Sequence, residues 1–124
     1  MLNHITIMGR LTKDPELRRT QSGTAVASFT IACDRDKGEK KETDFIDCTA
    51  WRQTGEFVSK YFTKGRMIVV SGRLQIRKYT DKHGNNRTAA EEVAENVYFG
   101  DSQKAAGEND DFQALEGEDH DLPF

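Results

Sequence analysis

The sequence predicts a mainly β fold: a five-stranded Greek-key barrel with one helix between the third and fourth strands, followed by a disordered acidic C-terminal tail. Three observations carry this. Five stretches are β-rich, and the clearest of them alternate apolar and polar residues with the two-residue period of a half-buried strand. A single stretch, 54–64, has helical spacing. The stretch 101–124 has few apolar residues and no sustained period.

The elements follow in order. Ile5 and Ile7 open a short strand that ends at Met8-Gly9-Arg10, and Asp14-Pro15 and Ser22-Gly23 are turn signals. In 25–33, Ala27, Phe29, Ile31 and Cys33 share one face, with Ser28 and Thr30 on the other. Residues 34–43 contain no apolar side chain and are expected to form a charged loop. In 44–51, Ile46, Cys48 and Ala50 make a small apolar core face. The opposite face, Phe45, Asp47, Thr49 and Trp51, is polar in the middle and aromatic at both ends. The helix 54–64 has Thr54 as N-cap, Glu56 in its first turn and Gly65 as its stop. Its face Phe57, Val58, Tyr61 and Phe62 is expected to be core. In 67–79, Ile68, Val70, Gly72, Leu74 and Ile76 form a buried set, and Arg73, Gln75, Arg77 and Tyr79 an exposed basic one. Gly72 inside that strand predicts a bend suited to a small barrel. Residues 81–86 make a hairpin tip. The last strand, 87–99, has weak support, because Ala89-Ala90 has poor β propensity and Glu91-Glu92 is an unusual pair there. Five strands with one helix between the third and fourth is the order of an OB-fold, whose barrel binds oligonucleotides on one face.

The 124 residues suit one domain, and 31% charged with 9% aromatic is polar for a globular chain yet too aromatic for a wholly disordered one. No run approaches the ~18 apolar residues of a membrane span. Met1-Leu2-Asn3-His4-Ile5 lacks the pattern of a signal peptide, so a cytoplasmic protein is expected. In that reducing compartment Cys33 and Cys48 are expected to be small buried hydrophobes. Charge is split. Residues 1–100 hold 17 of the 18 Lys and Arg and 13 of the 21 Asp and Glu, a net of +4, while 101–124 carries a net of −7. The domains are therefore a mildly basic body, 1–100, and an acidic tail, 101–124. Such a tail can compete weakly for a basic groove until a polyanion displaces it. The tail ends in Leu122-Pro123-Phe124 behind Asp119 and Asp121. That tip is a docking peptide, with Phe124 able to fill a pocket while its α-carboxylate meets a basic group.

Catalysis has no support in the residues. His4, His83 and His120 lie at the start, at a hairpin tip and in the tail, and no spacing resembles a metal site or a nucleophile motif. No cofactor and no metal are expected. Binding of single strands needs cations along the phosphates and flat faces that stack on bases. Phe45, Trp51 and Tyr79 supply the faces, and Arg35, Arg52, Arg73, Arg77 and Lys78 supply charge beside them. A solvated charged face would explain the arginines but not three aromatics among them. Stacking tolerates any base, so little sequence preference follows.

The chain resembles the bacterial single-stranded-DNA-binding proteins. The resemblance rests on Met1-Leu2-Asn3, Gly9-Arg10-Leu11-Thr12-Lys13-Asp14-Pro15-Glu16-Leu17-Arg18 and Val26-Ala27-Ser28-Phe29-Thr30-Ile31-Ala32. It continues through Asp44-Phe45-Ile46-Asp47-Cys48, Tyr61-Phe62-Thr63-Lys64-Gly65, Ser71-Gly72-Arg73-Leu74-Gln75-Ile76-Arg77-Lys78-Tyr79 and Asp121-Leu122-Pro123-Phe124. It implies a nucleoid-associated homotetramer that wraps single-stranded DNA, with stacking at Phe45, Trp51 and Tyr79 and basic contacts at Arg18, Lys64, Arg77 and Lys78. It also implies that the tip recruits replication, recombination and repair proteins. The chain departs from the pattern where many members have a further aromatic and this one offers Arg35, and His120 interrupts its terminal acids. The alternatives are an RNA-binding OB-fold module and an OB-fold interaction adaptor with no nucleic-acid role.

Overall fold

A computed structural model describes residues 1–101. Its elements are β1 (Ile5–Leu11), β2 (Glu16–Arg19), β3 (Ala25–Lys37), β4 (Lys40–Trp51), α1 (Arg52–Tyr61), β5 (Met67–Thr80) and β6 (Asn86–Phe99). Strands β1-β5-β6-β4-β3 pair in that order, and β1 closes on β3 through Arg10 opposite Ala32 and Leu11 opposite Ile31. The result is the expected five-stranded barrel. All pairings are antiparallel except β4–β6, which is parallel. Strand β2 is an addition that pairs only with β3, so α1 follows the fourth strand of the chain but still separates the third and fourth strands of the barrel. Its four residues are all exposed and bracketed by the two predicted turns, which leaves no apolar alternation to mark it.

The core is assembled from the predicted inward faces. Phe29, Ile31, Cys48, Ala50, Ile68 and Val70 are buried together with Leu11, Val58 and Phe62. Helix α1 packs on β3 and β4, and Phe62 stacks on Phe99 with ring centroids 4.6 Å apart. Gly55 lets α1 approach the barrel, since a Cβ there would meet the Ala50 carbonyl. Tyr61 stays exposed at the rim of this cluster, against the expectation that it joins the core.

Other expectations are corrected. Residues 34–43 are not a loop: β3 and β4 stay paired through Lys37 opposite Lys40, and the turn is Gly38-Glu39 with Gly38 at φ 60°. Cross-strand polar contacts replace the missing apolar face, with Thr43 Oγ1 donating to Asp34 at 2.8 Å and Arg35 to Glu42 at 2.7 Å. The helix begins at Arg52 rather than 54, with Trp51 as an extended N-cap that makes no side-chain cap bond, so Glu56 falls beyond the first turn. It ends at Tyr61, and Gly65 at φ 88° serves the turn that follows rather than the helix end. Leu74 and Ile76 are 42% and 57% exposed, because β1 pairs with β5 only as far as Gly72 and Ile76 also lies past the last β4–β6 pair. The doubted last strand is a full 14-residue β6, since tertiary pairing to both β5 and β4 overrides its poor propensity. Glu91 and Glu92 point to opposite faces, and Glu92 is sealed inside.

The predicted bend at Gly72 is present as a register shift between Ser71 and Gly72. A Cβ on Gly72 would collide with the Val93 carbonyl, so the bulge needs the missing side chain. Cys48 is buried, Cys33 is half-buried, and both are free thiols. The tail after residue 101, including Asp119, Asp121, Leu122, Pro123 and Phe124, lies outside the described residues.

Candidate nucleic-acid interface

Ladder register decides which side chains share the outer surface. In β4, Phe45, Asp47, Thr49 and Trp51 face away from the core residues Ile46, Cys48 and Ala50. Opposite Asp47 and Thr49 on β6 stand Glu91 and Val93. Opposite those on β5 stand Gln75 and Arg73, and the same face continues through Arg77 and Tyr79. On the other flank, β3 presents Ser28 and Thr30, and β2 presents Arg18 opposite Val26. Phe45, Trp51, Tyr79, Arg18, Arg73 and Arg77 are thus brought onto one outer surface that spans four barrel strands and β2. The aromatics are available there: Phe45 is 67% exposed, Trp51 43% and Tyr79 42%.

The surface is pre-ordered by short polar contacts. Arg18 donates to Ser28 Oγ at 3.1 Å, Arg73 to Gln75 Oε1 at 2.9 Å, and Thr30 Oγ1 to Asp47 at 2.9 Å. The Arg77 guanidinium lies 5.3 Å from the centre of the Tyr79 ring and 3.7 Å from Glu91 Oε1. The Arg77 side chain is half exposed and its contact with Glu91 is long, so the guanidinium is open to a phosphate. Three carboxylates, Glu16, Asp47 and Glu91, interrupt the cations on this face.

Four candidates stand apart. Arg35 follows the core side of the β3–β4 ladder, opposite Glu42, and its guanidinium bridges Glu42 at 2.7 Å and Asp44 at 3.1 Å. Lys78 alternates to the other side of the hairpin from Tyr79. Lys64 sits in the turn after α1, where its backbone N–H donates to Asp14 Oδ1 at 2.8 Å. Arg52 begins α1 beside Trp51, with a left-handed φ of 57°.

The sequence reading omitted Arg87, which stands opposite Tyr79 on the same face. The hairpin tip at 81–86 held the signal, because a tight turn there sets Tyr79 against Arg87. Arg87 Nε donates to Asp81 Oδ2 at 2.9 Å. That bond, with the backbone amides of Asn85 and His83, holds the Asp81 carboxyl below the usual carboxylate range. Lys78, Tyr79, Thr80, Asn86, Arg87 and Thr88 line an open cleft of about 490 Å³. Among the described residues no group of three or more His, Cys, Asp or Glu could hold a metal ion, and no helix is long and apolar enough to cross a membrane.

Residues 2–100 match the model of the single-strand binding protein family. The chain is 45% identical over 102 residues to single-stranded DNA-binding protein 2 of Listeria monocytogenes, covering 80% of this chain and 64% of that protein. It is 43% identical over 110 residues to single-stranded DNA-binding protein A of Bacillus subtilis, covering 86% and 64%. With single-stranded DNA-binding protein 3 of Clostridium acetobutylicum it shares 45% over 117 residues, covering 90% and 81%. The matched stretch thus spans just under two thirds of the Listeria and Bacillus relatives. A family match running the length of the barrel, with relatives above 40% identity behind it, means that the chain belongs to the single-strand binding protein family.

Proposed function

We propose that this chain binds single-stranded DNA without sequence preference and protects it, by stacking bases on Phe45, Trp51 and Tyr79 and holding phosphates with Arg18, Arg73 and Arg77. One observation carries the proposal: strand register collects these six side chains on one outer face. Arg52, beside Trp51, and Arg87, beside Tyr79, extend the cationic path. Arg35, Lys64 and Lys78 lie off this face, and their contribution requires the strand to wrap around the barrel. Base stacking supplies affinity without reading sequence, and phosphate neutralisation makes that affinity fall with salt.

The binding unit is the body, 1–100, and the acidic tail, 101–124, carries the partner-binding tip. In this reading Asp119, Asp121, Leu122, Pro123 and Phe124 recruit replication, recombination and repair proteins at the nucleoid. The protein acts as a homotetramer, and the exposed Leu74 and Ile76 are apolar surface available for assembly.

The test is a salt-dependent titration of tryptophan fluorescence with a dT oligomer. Trp51 is the sole tryptophan, so quenching reports on one stacking site. Quenching at saturation, with affinity falling as salt rises, is the expected result. Absence of binding at low salt overturns the function and leaves the adaptor reading. A matched rU oligomer separates DNA from RNA preference.

A further inference from the structure

Next to Trp51 an open cleft of about 580 Å³ separates the turn between β2 and β3 from the start of α1. Arg19, Ser22 and Thr24 line one side, and Trp51, Arg52 and Glu56 the other. The volume falls within the range of small-ligand pockets and is ample for one nucleotide.

The lining has the chemistry of a nucleotide site. Trp51 offers a half-exposed ring, and two guanidinium groups come from separate elements. The lining hydroxyls of Ser22 and Thr24 are 3.3 Å apart, and Thr20 behind them contacts Ser22 at 3.0 Å. Arg52 adopts a left-handed φ of 57°, the only residue other than glycine to do so among the described residues. Such backbone conformations persist where the surroundings impose them and cluster at binding sites. The start of α1 lies in the same cleft with no side-chain cap and no acidic residue in its first turn, which leaves the cleft positive at that end.

Glu56 is the one carboxylate among the lining residues. Its Oε2 accepts from Arg19 Nη2 at 3.4 Å, and Arg19 Nη1 reaches the Gly23 carbonyl, also at 3.4 Å. Both contacts are long, and both side chains of the pair are about half exposed. A pair of this kind is easily exchanged, since solvent screens it and ordering two long side chains opposes it. A phosphodiester carries the same single charge as the Glu56 carboxylate but offers two free oxygens that the Arg19 guanidinium can meet bidentately, where Glu56 makes one long contact.

We infer that this cleft holds one nucleotide of the bound strand, its phosphate on Arg19 and Arg52 and its base beside Trp51, and that Glu56 occupies Arg19 until the phosphate displaces it. The inference rests on the single-stranded DNA binding proposed above. It adds Arg19 to the path of the strand and makes Glu56 an internal competitor that weakens binding.

The test uses the full chain and the anisotropy of a labelled dT oligomer, a readout independent of Trp51. Arg19→Gln, Glu56→Gln and the double variant are compared across a salt series. Both side chains are on the surface, and a thermal melt of each variant checks that it is folded. Glu56→Gln is expected to tighten binding roughly two- to fivefold at low salt. Arg19→Gln is expected to weaken binding and to reduce the slope of log affinity against log salt by about 0.7, the loss of one single-strand phosphate contact. In the double variant the gain from Glu56→Gln disappears. An unchanged slope in Arg19→Gln, or an equal gain from Glu56→Gln with and without Arg19, overturns the inference. Failure of the unmodified chain to bind overturns the proposed function instead.

Discussion

Glu92 stands opposite Cys48 in the parallel β4–β6 ladder, and both side chains are sealed inside the barrel, at 0% and 2% exposure. Neither oxygen of the Glu92 carboxylate has a hydrogen-bond partner. Burial pushes this carboxyl up to about 7, from an ordinary 4.5. Between those values the folded protein keeps a proton that the unfolded chain releases. Stability is therefore highest below about pH 4.5 as far as this group is concerned, and falls as pH rises towards 7. Glu92→Gln is expected to stabilise the protein by about 3 kcal/mol at pH 8 and to change little near pH 4.5. Denaturant midpoints at the two pH values measure this; an equal effect at both would show that Glu92 does not titrate across the window.

The same geometry silences Cys48. Burial first, then the neighbouring acids Glu92, Asp47 and Glu91, push its thiol well above the ordinary cysteine range, and its Sγ donates to the Ile46 carbonyl at 3.7 Å. Cys33 is only half-buried. Alkylation of the native protein should modify Cys33 and spare Cys48, with the second thiol reacting only in denaturant. Mass spectrometry of the labelled peptides reads the order directly, and early labelling of Cys48 would contradict its burial.

Gly72 makes the bulge that lets β5 pair with β1 on one side and β6 on the other. Gly72→Ala places a methyl group against the Val93 carbonyl, and backbone on both strands must move. A loss of roughly 3 kcal/mol is expected, the upper range for overpacking. A thermal melt showing no loss would mean that the ladder can open there without strain.

Asp101 closes the described chain onto the barrel. Its two oxygens accept from Arg66 Nε and Nη2, each at 3.0 Å, and the Met67 amide adds a third bond at 3.3 Å. The Arg66 guanidinium also lies 5.2 Å from the Phe99 ring centre. The Arg66 hydrogen bond is the main reason the Asp101 carboxyl sits below the usual range. The stability it contributes is therefore present above an ordinary Asp pKa and lost as pH falls through the lowered one. Asp101→Asn is expected to cost about 1 kcal/mol at pH 7 and nearly nothing at strongly acid pH. Chemical denaturation across that pH range gives the comparison.

Phe45, Trp51 and Tyr79 should contribute in kind to DNA affinity. Each replaced by Ala is expected to weaken binding to a dT oligomer by roughly 1–3 kcal/mol, while leaving the salt slope unchanged. Arg73→Gln and Arg77→Gln should do the reverse, lowering the slope by about 0.7 each with a modest loss of affinity. Anisotropy titrations over a salt series separate the two patterns. A salt slope altered by the aromatic variants would mean that these rings hold the phosphate path rather than the bases.

Local alternation by itself determined much of the barrel. In β4 it set Ile46, Cys48 and Ala50 inward and Phe45 and Trp51 outward, because successive side chains in a strand must point to opposite faces. It also located Gly72, since a residue without a side chain in a β-rich run marks a bend. Alternation says nothing about where the neighbouring strand ends, and that limit accounts for the misreadings. Leu74 and Ile76 keep the apolar period of the buried half of β5, yet both lie past the point where β1 stops pairing with it and are exposed. The charged ribbon of β3 and β4 has no apolar face, and only cross-strand pairing makes it sheet. Proximity in sequence groups Arg35 with Phe45, but only register shows that it stands opposite Glu42 on the other side of the ladder. Glu92 is inside because β5 and β4 enclose its strand, a relationship between residues far apart in the chain that no local pattern encodes.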